Sequence, residues 1–132
     1  MFTGLDHLAI VVSDTEEALK LWRDQLRLPL LYSEVVAQGT LRLTHLDLGN
    51  TQLQLVEPLV ENHPLRTWLD QNGPGLHHFC FGVEDVGAAL AQLPEYGLTA
   101  GEAAPHQGTR GRRALWVDPA STSGIRVELT GE

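Results

Sequence analysis

Cysteine and positive charge are both scarce in this sequence of 132 residues, and each shortage excludes a class of protein. Cys80 is the only cysteine, so no disulfide can close within the chain, which is typical of a reducing cytoplasm. Nine Lys and Arg side chains stand against 17 Asp and Glu, giving a formal net charge of −8 at pH 7. Because no dense basic face can offset phosphate repulsion, the composition does not indicate a nucleic-acid-binding protein.

Long apolar runs are also missing. No stretch approaches the roughly 20 consecutive apolar residues of a membrane-spanning helix, and the amino terminus lacks the charged and then apolar pattern of a signal peptide. With 42% hydrophobic and 20% charged residues, the composition is that of a globular protein. We therefore expect one compact cytoplasmic domain over residues 1–132, with no membrane partner.

An internal repeat is the most informative feature that is present. The segment Leu5–Ile10 resembles Leu76–Phe81, and identical residues recur at a constant offset of 71 positions: His7 and His78, Val12 and Val83, Asp14 and Asp85, Ala18 and Ala89, Leu19 and Leu90. A match that stays in register through a strand, a turn and the start of a helix indicates duplication.

The repeat predicts an α+β fold of two tandem βαβββ modules, whose strands form a curved, mostly antiparallel sheet around a metal-containing cavity. The first module covers about 1–58, with strands near 5–12, 30–36, 40–48 and 51–57 and a helix that begins at Asp14. A linker of about 59–75 carries a short helix that starts with Pro64 and ends at Gly73. The second module, about 76–132, repeats the order with strands near 76–83, 98–103, 112–117 and 124–130 and a helix from Asp85 to about Leu93.

Four polar side chains occupy equivalent positions in the two modules. The first strand of each module supplies a histidine and the last strand a polar partner: His7 with Gln54, and His78 with Glu128. Because the apolar residues that alternate with them face the helices, these four side chains should share the opposite face. Each alone has an ordinary interpretation as a solvated or hydrogen-bonded residue. Burying the set without partners would cost about 1–3 kcal/mol per group, whereas a bound cation would satisfy all four.

The types of these side chains indicate which ion to expect. Two imidazoles, one amide oxygen and one carboxylate suit a borderline divalent ion such as Co²⁺, Mn²⁺, Ni²⁺ or Zn²⁺. A closed structural zinc site would more often use cysteines. We therefore expect an octahedral site with two exchangeable positions, which two oxygens of a substrate could occupy.

The remaining histidines are weaker candidates for this site. His77 corresponds to Asp6 in the repeat, so its side chain should point to the helices or outward. His45, His63 and His106 have no repeat counterparts and are expected on the surface or in loops. His106 lies in a segment from which it could reach a substrate.

Several motifs resemble those of the vicinal oxygen chelate (glyoxalase/bleomycin resistance/dioxygenase) superfamily, and within it the methylmalonyl-CoA epimerases. They are Leu5-Asp6-His7 with Val12-Ser13-Asp14, Leu48-Gly49-Asn50-Thr51, Leu53-Gln54-Leu55-Val56-Glu57-Pro58, Gly75-Leu76-His77-His78, Gly108-Thr109-Arg110-Gly111 before Asp118-Pro119, and Gly124-Ile125-Arg126-Val127-Glu128-Leu129. The resemblance covers nearly the whole chain.

This resemblance implies a function for the four side chains. His7, Gln54, His78 and Glu128 would bind the metal ion, and the thioester and carboxylate oxygens of methylmalonyl-CoA would chelate it. The ion would stabilise the enolate formed when Glu128, acting as the base, removes the α-proton. Adjacent positive charge lowers the pKa of a carboxyl group, so Glu128 is expected to be ionised and weakened as a base.

Two arginine features extend the hypothesis. Epimerases that use a second carboxylate carry it after a Gln-Gly pair, but here Gln38-Gly39-Thr40-Leu41 leads to Arg42. Arg42 is expected either to face the cavity and pair with a substrate carboxylate, or to be a surface strand arginine. Arg110, Arg112 and Arg113 form a local basic cluster that either binds CoA phosphates or is solvated.

Two other functions are compatible with the same sequence. A glyoxalase-I-like lactoylglutathione lyase would use similar enediolate chemistry, although such enzymes more often carry Glu where Gln54 stands. A non-catalytic small-molecule-binding protein on the same fold is the third hypothesis, and the retained metal-binding side chains argue against it. A homodimer is expected from the resemblance and because small symmetric dimers are common.

Overall fold

Eight β-strands and three α-helices make up the chain in the computed structural model, which describes residues 1–132. The strands are β1 (Phe2–Val11), β2 (Leu30–Val36), β3 (Leu41–Asp47), β4 (Gln52–Pro58), β5 (Gly75–Val83), β6 (His106–Gln107), β7 (Arg113–Trp116) and β8 (Val127–Gly131). The helices are α1 (Thr15–Leu19), α2 (Pro64–Asn72) and α3 (Val86–Gln92). A π-helical segment, Lys20–Gln25, extends α1, and 3₁₀ turns cover Leu93–Tyr96, Thr109–Gly111 and Pro119–Thr122. The predicted α+β class is confirmed.

The repeat is visible in how the helices begin. The Asp14 side chain accepts a hydrogen bond from the backbone N–H of Glu17 at 3.0 Å, and Asp85 accepts one from Ala88 at 2.7 Å. These equivalent N-caps start α1 and α3 because each carboxylate satisfies an N–H that has no partner within the helix.

The prediction of a strand near 98–103 is wrong. Within that range only Ala100 makes a bridge, to Val117, and the next strand is the two-residue β6. The segment 101–105 reads Gly-Glu-Ala-Ala-Pro. It has no alternation of apolar and polar residues, and Pro105 cannot donate to a strand partner, so a longer strand is not stabilised there.

The chain divides into two compact units. The first unit comprises Met1–His7 and His78–Glu132, and the second comprises Leu8–His77. In the first unit the strand order is β1-β5-β8-β7-β6, with β5 and β8 parallel and β7 antiparallel to both of its neighbours. Its core lies where α3 packs on the strands and includes Val86, Ala89, Leu93, Leu115, Val117 and Leu129.

The second unit has the strand order β2-β3-β4-β1, and the β2–β3 and β3–β4 pairs are antiparallel. Leu53 and Leu55 of β4 pack with Leu19 of α1, which confirms that the apolar side chains of this strand face the first helix. The opposite face is not wholly polar, however. Ala9, Val11, Leu43 and Val56 pack there against Leu69 of α2.

No helix in the chain combines the length and the apolar character needed to cross a lipid bilayer.

Candidate metal centre

Three of the four predicted ligands converge in the first unit. His7 of β1, His78 of β5 and Glu128 of β8 place their ligand atoms within 4.8 Å of one another. The Nε2 atoms of His7 and His78 lie 3.8 and 3.5 Å from Oε1 of Glu128. We refer to these three residues as the histidine–carboxylate cluster.

The strand pairing explains why these side chains meet. Glu128 lies opposite Cys80 in the parallel β5–β8 register, and His78 lies two residues before Cys80 on the same face. Cys80 is small and fully buried, so its side chain leaves room for the imidazole beside it. Cys80 therefore provides the space that the His78 imidazole occupies.

Charge in the cluster favours a cation. Burial alone would raise the pKa of Glu128, but the hydrogen bond from His106 and the neighbouring imidazoles of His78 and His7 outweigh it and lower the pKa to about 2. Glu128 is thus ionised and accepts only. A buried carboxylate beside two imidazole nitrogens is a donor set that fits a borderline divalent ion.

A second arrangement of ligand-type atoms is less suitable for a metal. Asp6, His7 and Cys80 also place such atoms within 4.8 Å of one another. Burial raises the pKa of the Cys80 thiol, and the charges of Glu128 and Asp6 raise it further. Because the thiolate is the form that binds metals, the histidine–carboxylate cluster is the better candidate.

The orientation of His7 is fixed by a residue that the sequence reasoning did not single out. Asp6 contacts Nδ1 of His7 at 2.8 Å, and Arg112 donates to the other Asp6 oxygen at 3.0 Å. Burial raises the pKa of Asp6, but the contacts with His7 and Arg112 outweigh it and lower that pKa. Since an ionised carboxylate only accepts, Nδ1 of His7 carries the proton and Nε2 is the nitrogen that can bind an ion.

Gln54 lies in the second unit, and its place in the centre stays a prediction. Its side chain is buried on β4, with the amide nitrogen 3.1 Å from Nε2 of His45. An amide nitrogen only donates, so Nε2 of His45 accepts and Nδ1 of His45 donates to Oε1 of Gln52, 2.8 Å away. This chain of hydrogen bonds uses the amide nitrogen of Gln54 and leaves its oxygen as the atom suited to a metal.

Of the two expectations for Arg42, the strand register favours a surface strand arginine over one that faces the cavity. In the β3–β4 register Gln54 is opposite His45 and Arg42 is opposite Glu57, so Arg42 lies on the other face. Its guanidinium donates to Glu16 of α1 and to Ser33, each at 3.0 Å. Arg42 therefore points toward α1, and this geometry gives no support for contact with a substrate carboxylate.

The three arginines of the predicted phosphate cluster are not held together. Arg112 is bound to Asp6, whereas Arg113 donates to the backbone oxygen of Glu132 at 3.3 Å and lies 3.9 Å from Asp85. Arg110 adopts a positive φ of 56° in the turn between β6 and β7. Arg112 and Arg113 thus contact different partners, and contact of the three arginines with CoA phosphates stays a prediction.

His106 is the main site residue that sequence reasoning undervalued. Its Nε2 lies 3.2 Å from Oε2 of Glu128, and its Nδ1 lies 2.8 Å from Glu102. The His106 ring stacks on Trp116, which also meets the His78 ring edge-on. No repeat counterpart marks these residues. The available signal was the spacing of Glu102 and His106, four residues apart before a strand.

The other histidines have structural roles. His77 packs edge-on against Trp68 of α2, which agrees with the expectation that His78 is the better ligand. His63 caps α2 by accepting from the Leu65 N–H at 3.1 Å. The expected surface position of His45 is wrong, because its side chain is buried and stacks on Tyr32.

Comparison with known proteins places this geometry in context. Residues 6–116 match the model of the glyoxalase/bleomycin resistance protein/dioxygenase superfamily. An ethylmalonyl-CoA/methylmalonyl-CoA epimerase from Cereibacter sphaeroides is 33% identical over 131 residues, which cover 98% of each chain.

Solved structures show the same similarity. Methylmalonyl-CoA epimerase from Mycobacterium tuberculosis aligns with a TM-score of 0.90 at 29% identity, over 98% of this chain and 88% of that one. A variant of the Streptomyces coelicolor methylmalonyl-CoA epimerase, solved with 2-nitronate-propionyl-CoA, aligns with a TM-score of 0.89 at 28% identity, over 100% and 99% of the two chains.

Proposed function

Since this chain belongs to the glyoxalase/bleomycin resistance protein/dioxygenase superfamily, we propose that it is a metal-dependent epimerase that interconverts the stereoisomers of methylmalonyl-CoA. Its similarity to methylmalonyl-CoA epimerases over nearly its whole length identifies an isomerase. The observation that carries the proposal is the convergence of His7, His78 and Glu128 within 4.8 Å in a chain with these relatives.

In this proposal His7, His78 and Glu128, together with Gln54, hold a divalent ion. When bound, the ion would supply Lewis-acid stabilisation of the negative charge that develops on the substrate. Asp6 keeps Nε2 of His7 available by holding the proton on Nδ1, and His45 engages the nitrogen of the Gln54 amide.

Glu128 is the residue that we propose as the base. The α-carbon of methylmalonyl-CoA lies between a thioester and a carboxylate, so loss of its proton leaves an enolate whose charge is delocalised onto the thioester oxygen. Glu128 is buried and ionised, so its carboxylate can accept that proton away from bulk water. A proton supplied by water to the opposite face of the enolate, and release of the first proton from Glu128 to solvent, complete the inversion.

Metal removal tests this function. Dialysis against a chelator should abolish the interconversion of the methylmalonyl-CoA stereoisomers, and addition of Co²⁺, Mn²⁺, Ni²⁺ or Zn²⁺ should restore it. Full activity in the chelated, metal-free protein would contradict the proposal. Activity only toward hemithioacetals of glutathione would instead indicate a lyase.

Assembly and location stay predictions within this proposal. We expect a homodimer, which light scattering of the purified protein measures directly, and a cytoplasmic protein, which fractionation of the source cells would test.

A further inference from the structure

The two oxygens of the Glu128 carboxylate face different histidines. Oε1 lies 3.8 Å from Nε2 of His7 and 3.5 Å from Nε2 of His78. Oε2 lies 3.2 Å from Nε2 of His106. One oxygen is therefore turned toward the two predicted histidine ligands, and the other is engaged by a histidine outside the predicted ligand set.

His106 is itself held by two neighbours. Its Nδ1 lies 2.8 Å from Oε2 of Glu102, and its ring stacks on Trp116 at a centroid distance of 6.1 Å and an angle of 18°. Both hydrogen-bond partners are carboxylates, which accept, so His106 donates from both ring nitrogens. Its side chain is therefore restrained in position and in orientation.

Glu102 is in turn anchored to the strand next to Glu128. The same oxygen that contacts His106 accepts a hydrogen bond from the Trp116 backbone N–H at 2.7 Å. Trp116 lies opposite Glu128 in the β7–β8 register. The contacts thus form a closed loop from Glu128 through His106, Glu102 and Trp116 back to Glu128, which is the kind of support that holds a metal ligand in one geometry.

We propose that His106 is a positioning residue that, held by Glu102 and Trp116, fixes Oε2 of Glu128 so that Oε1 is the oxygen presented to the metal ion. The inference rests on the proposed function, because it requires Glu128 to be a ligand. It also gives a role to a histidine that has no repeat counterpart: His106 lies in the short strand β6 and contacts Glu128 of the last strand.

Two substitutions of His106 separate hydrogen bonding from packing. His106→Phe keeps a ring that can stack on Trp116 but removes both donors, whereas His106→Gln keeps an N–H donor for Oε2. Glu102→Gln keeps His106 but weakens the contacts that Glu102 makes with His106 and with the Trp116 backbone. His63→Asn is the control, because the His63 side chain caps α2 and is not a member of this hydrogen-bonded loop.

Metal binding provides the measurement. Co²⁺ is titrated into metal-free wild type and into each variant, and both its affinity and its visible absorption spectrum, which reports ligand geometry, are recorded. His106→Phe should bind Co²⁺ about 10–100-fold more weakly with an altered spectrum, as is typical when support for a ligand is removed. His106→Gln should retain most of the affinity, Glu102→Gln should shift both quantities in the direction of His106→Phe, and His63→Asn should match wild type.

The outcomes distinguish the positioning role of His106 from the proposed metal-dependent function. Wild-type affinity and spectrum in His106→Phe would overturn the positioning role and leave the metal-dependent function intact. Failure of the wild type to bind any of the four divalent ions would overturn both. If His106→Phe does not unfold cooperatively, Glu102→Gln decides the matter, because wild-type affinity and spectrum in that variant would also contradict the role.

Discussion

At the scale of single residues, three of the four predicted metal ligands are each contacted by a side chain that is not itself a predicted ligand. Asp6 holds His7, His106 holds Glu128, and His45 engages Gln54. The sequence motifs identified the ligand candidates. Of the supporting side chains only Asp6 neighbours its ligand in the sequence, whereas His45 and His106 lie 9 and 22 positions from theirs. Arg112, for example, reaches Asp6 across 106 positions of the chain. No spacing rule predicts such a contact, because it depends on how the loop before β7 folds.

Replacing Asp6 with Asn tests this support for His7. The amide cannot hold the Nδ1 proton of His7 as an ionised carboxylate does, so the affinity for Co²⁺ should fall about 10–100-fold, while the variant stays folded. Isothermal titration of the metal-free protein measures the effect. Asp14→Asn, which changes the equivalent atom in a helix cap, should bind Co²⁺ as wild type does. An unchanged affinity in Asp6→Asn would show that His7 does not need this partner.

At the scale of elements, α2 begins with a cap that should respond to pH. Neutral His63 accepts a hydrogen bond from the Leu65 N–H, and a protonated imidazole cannot accept it. Burial lowers the pKa of His63 below its usual 6.5. Because the pKa of His63 is lower in the folded protein than in the unfolded chain, neutral His63 stabilises the fold at pH values above its unfolded-state pKa. This contribution is lost as the pH falls through the folded-state pKa.

The expected result is that His63→Asn loses less stability than wild type when urea unfolding is followed from pH 7.5 down to pH 5. Asn is a good N-cap that does not titrate in this range. The difference between the two pH profiles therefore reports the titration of His63 alone. Parallel pH profiles for the two proteins would contradict the assignment of this cap.

The close packing of Gly131, at the end of β8, leads to a second prediction at the scale of elements. A methyl group on Gly131 would clash with the backbone oxygen of Val83, and backbone atoms cannot move aside as a flexible side chain can. Gly131→Ala should therefore destabilise the fold by about 1–3 kcal/mol, measured by urea unfolding. Gly75→Ala is the matched control, because its methyl group would meet only Trp68 at an ordinary 3.9 Å. Equal stability of the two variants would contradict this packing.

At the scale of the whole molecule, the periodicity of the sequence predicted the features of the fold that depend on neighbouring residues. The strands of the first module, both N-caps and the α+β class follow from alternation, capping residues and the repeat. Two features did not follow. The segment 98–103 has no pattern that distinguishes a loop from a strand, and the face of Arg42 depends on the β3–β4 register, which its own strand does not encode.

The most direct test of the central claim follows the α-proton of methylmalonyl-CoA in D₂O by NMR, with metal-loaded wild type and with Glu128→Gln. The proposed mechanism predicts rapid, metal-dependent loss of the proton signal together with interconversion of the stereoisomers, and neither process in Glu128→Gln. Exchange that persists in Glu128→Gln would contradict the role of Glu128 as the base. Absence of exchange in wild type with Co²⁺, Mn²⁺, Ni²⁺ or Zn²⁺ would contradict the epimerase function itself.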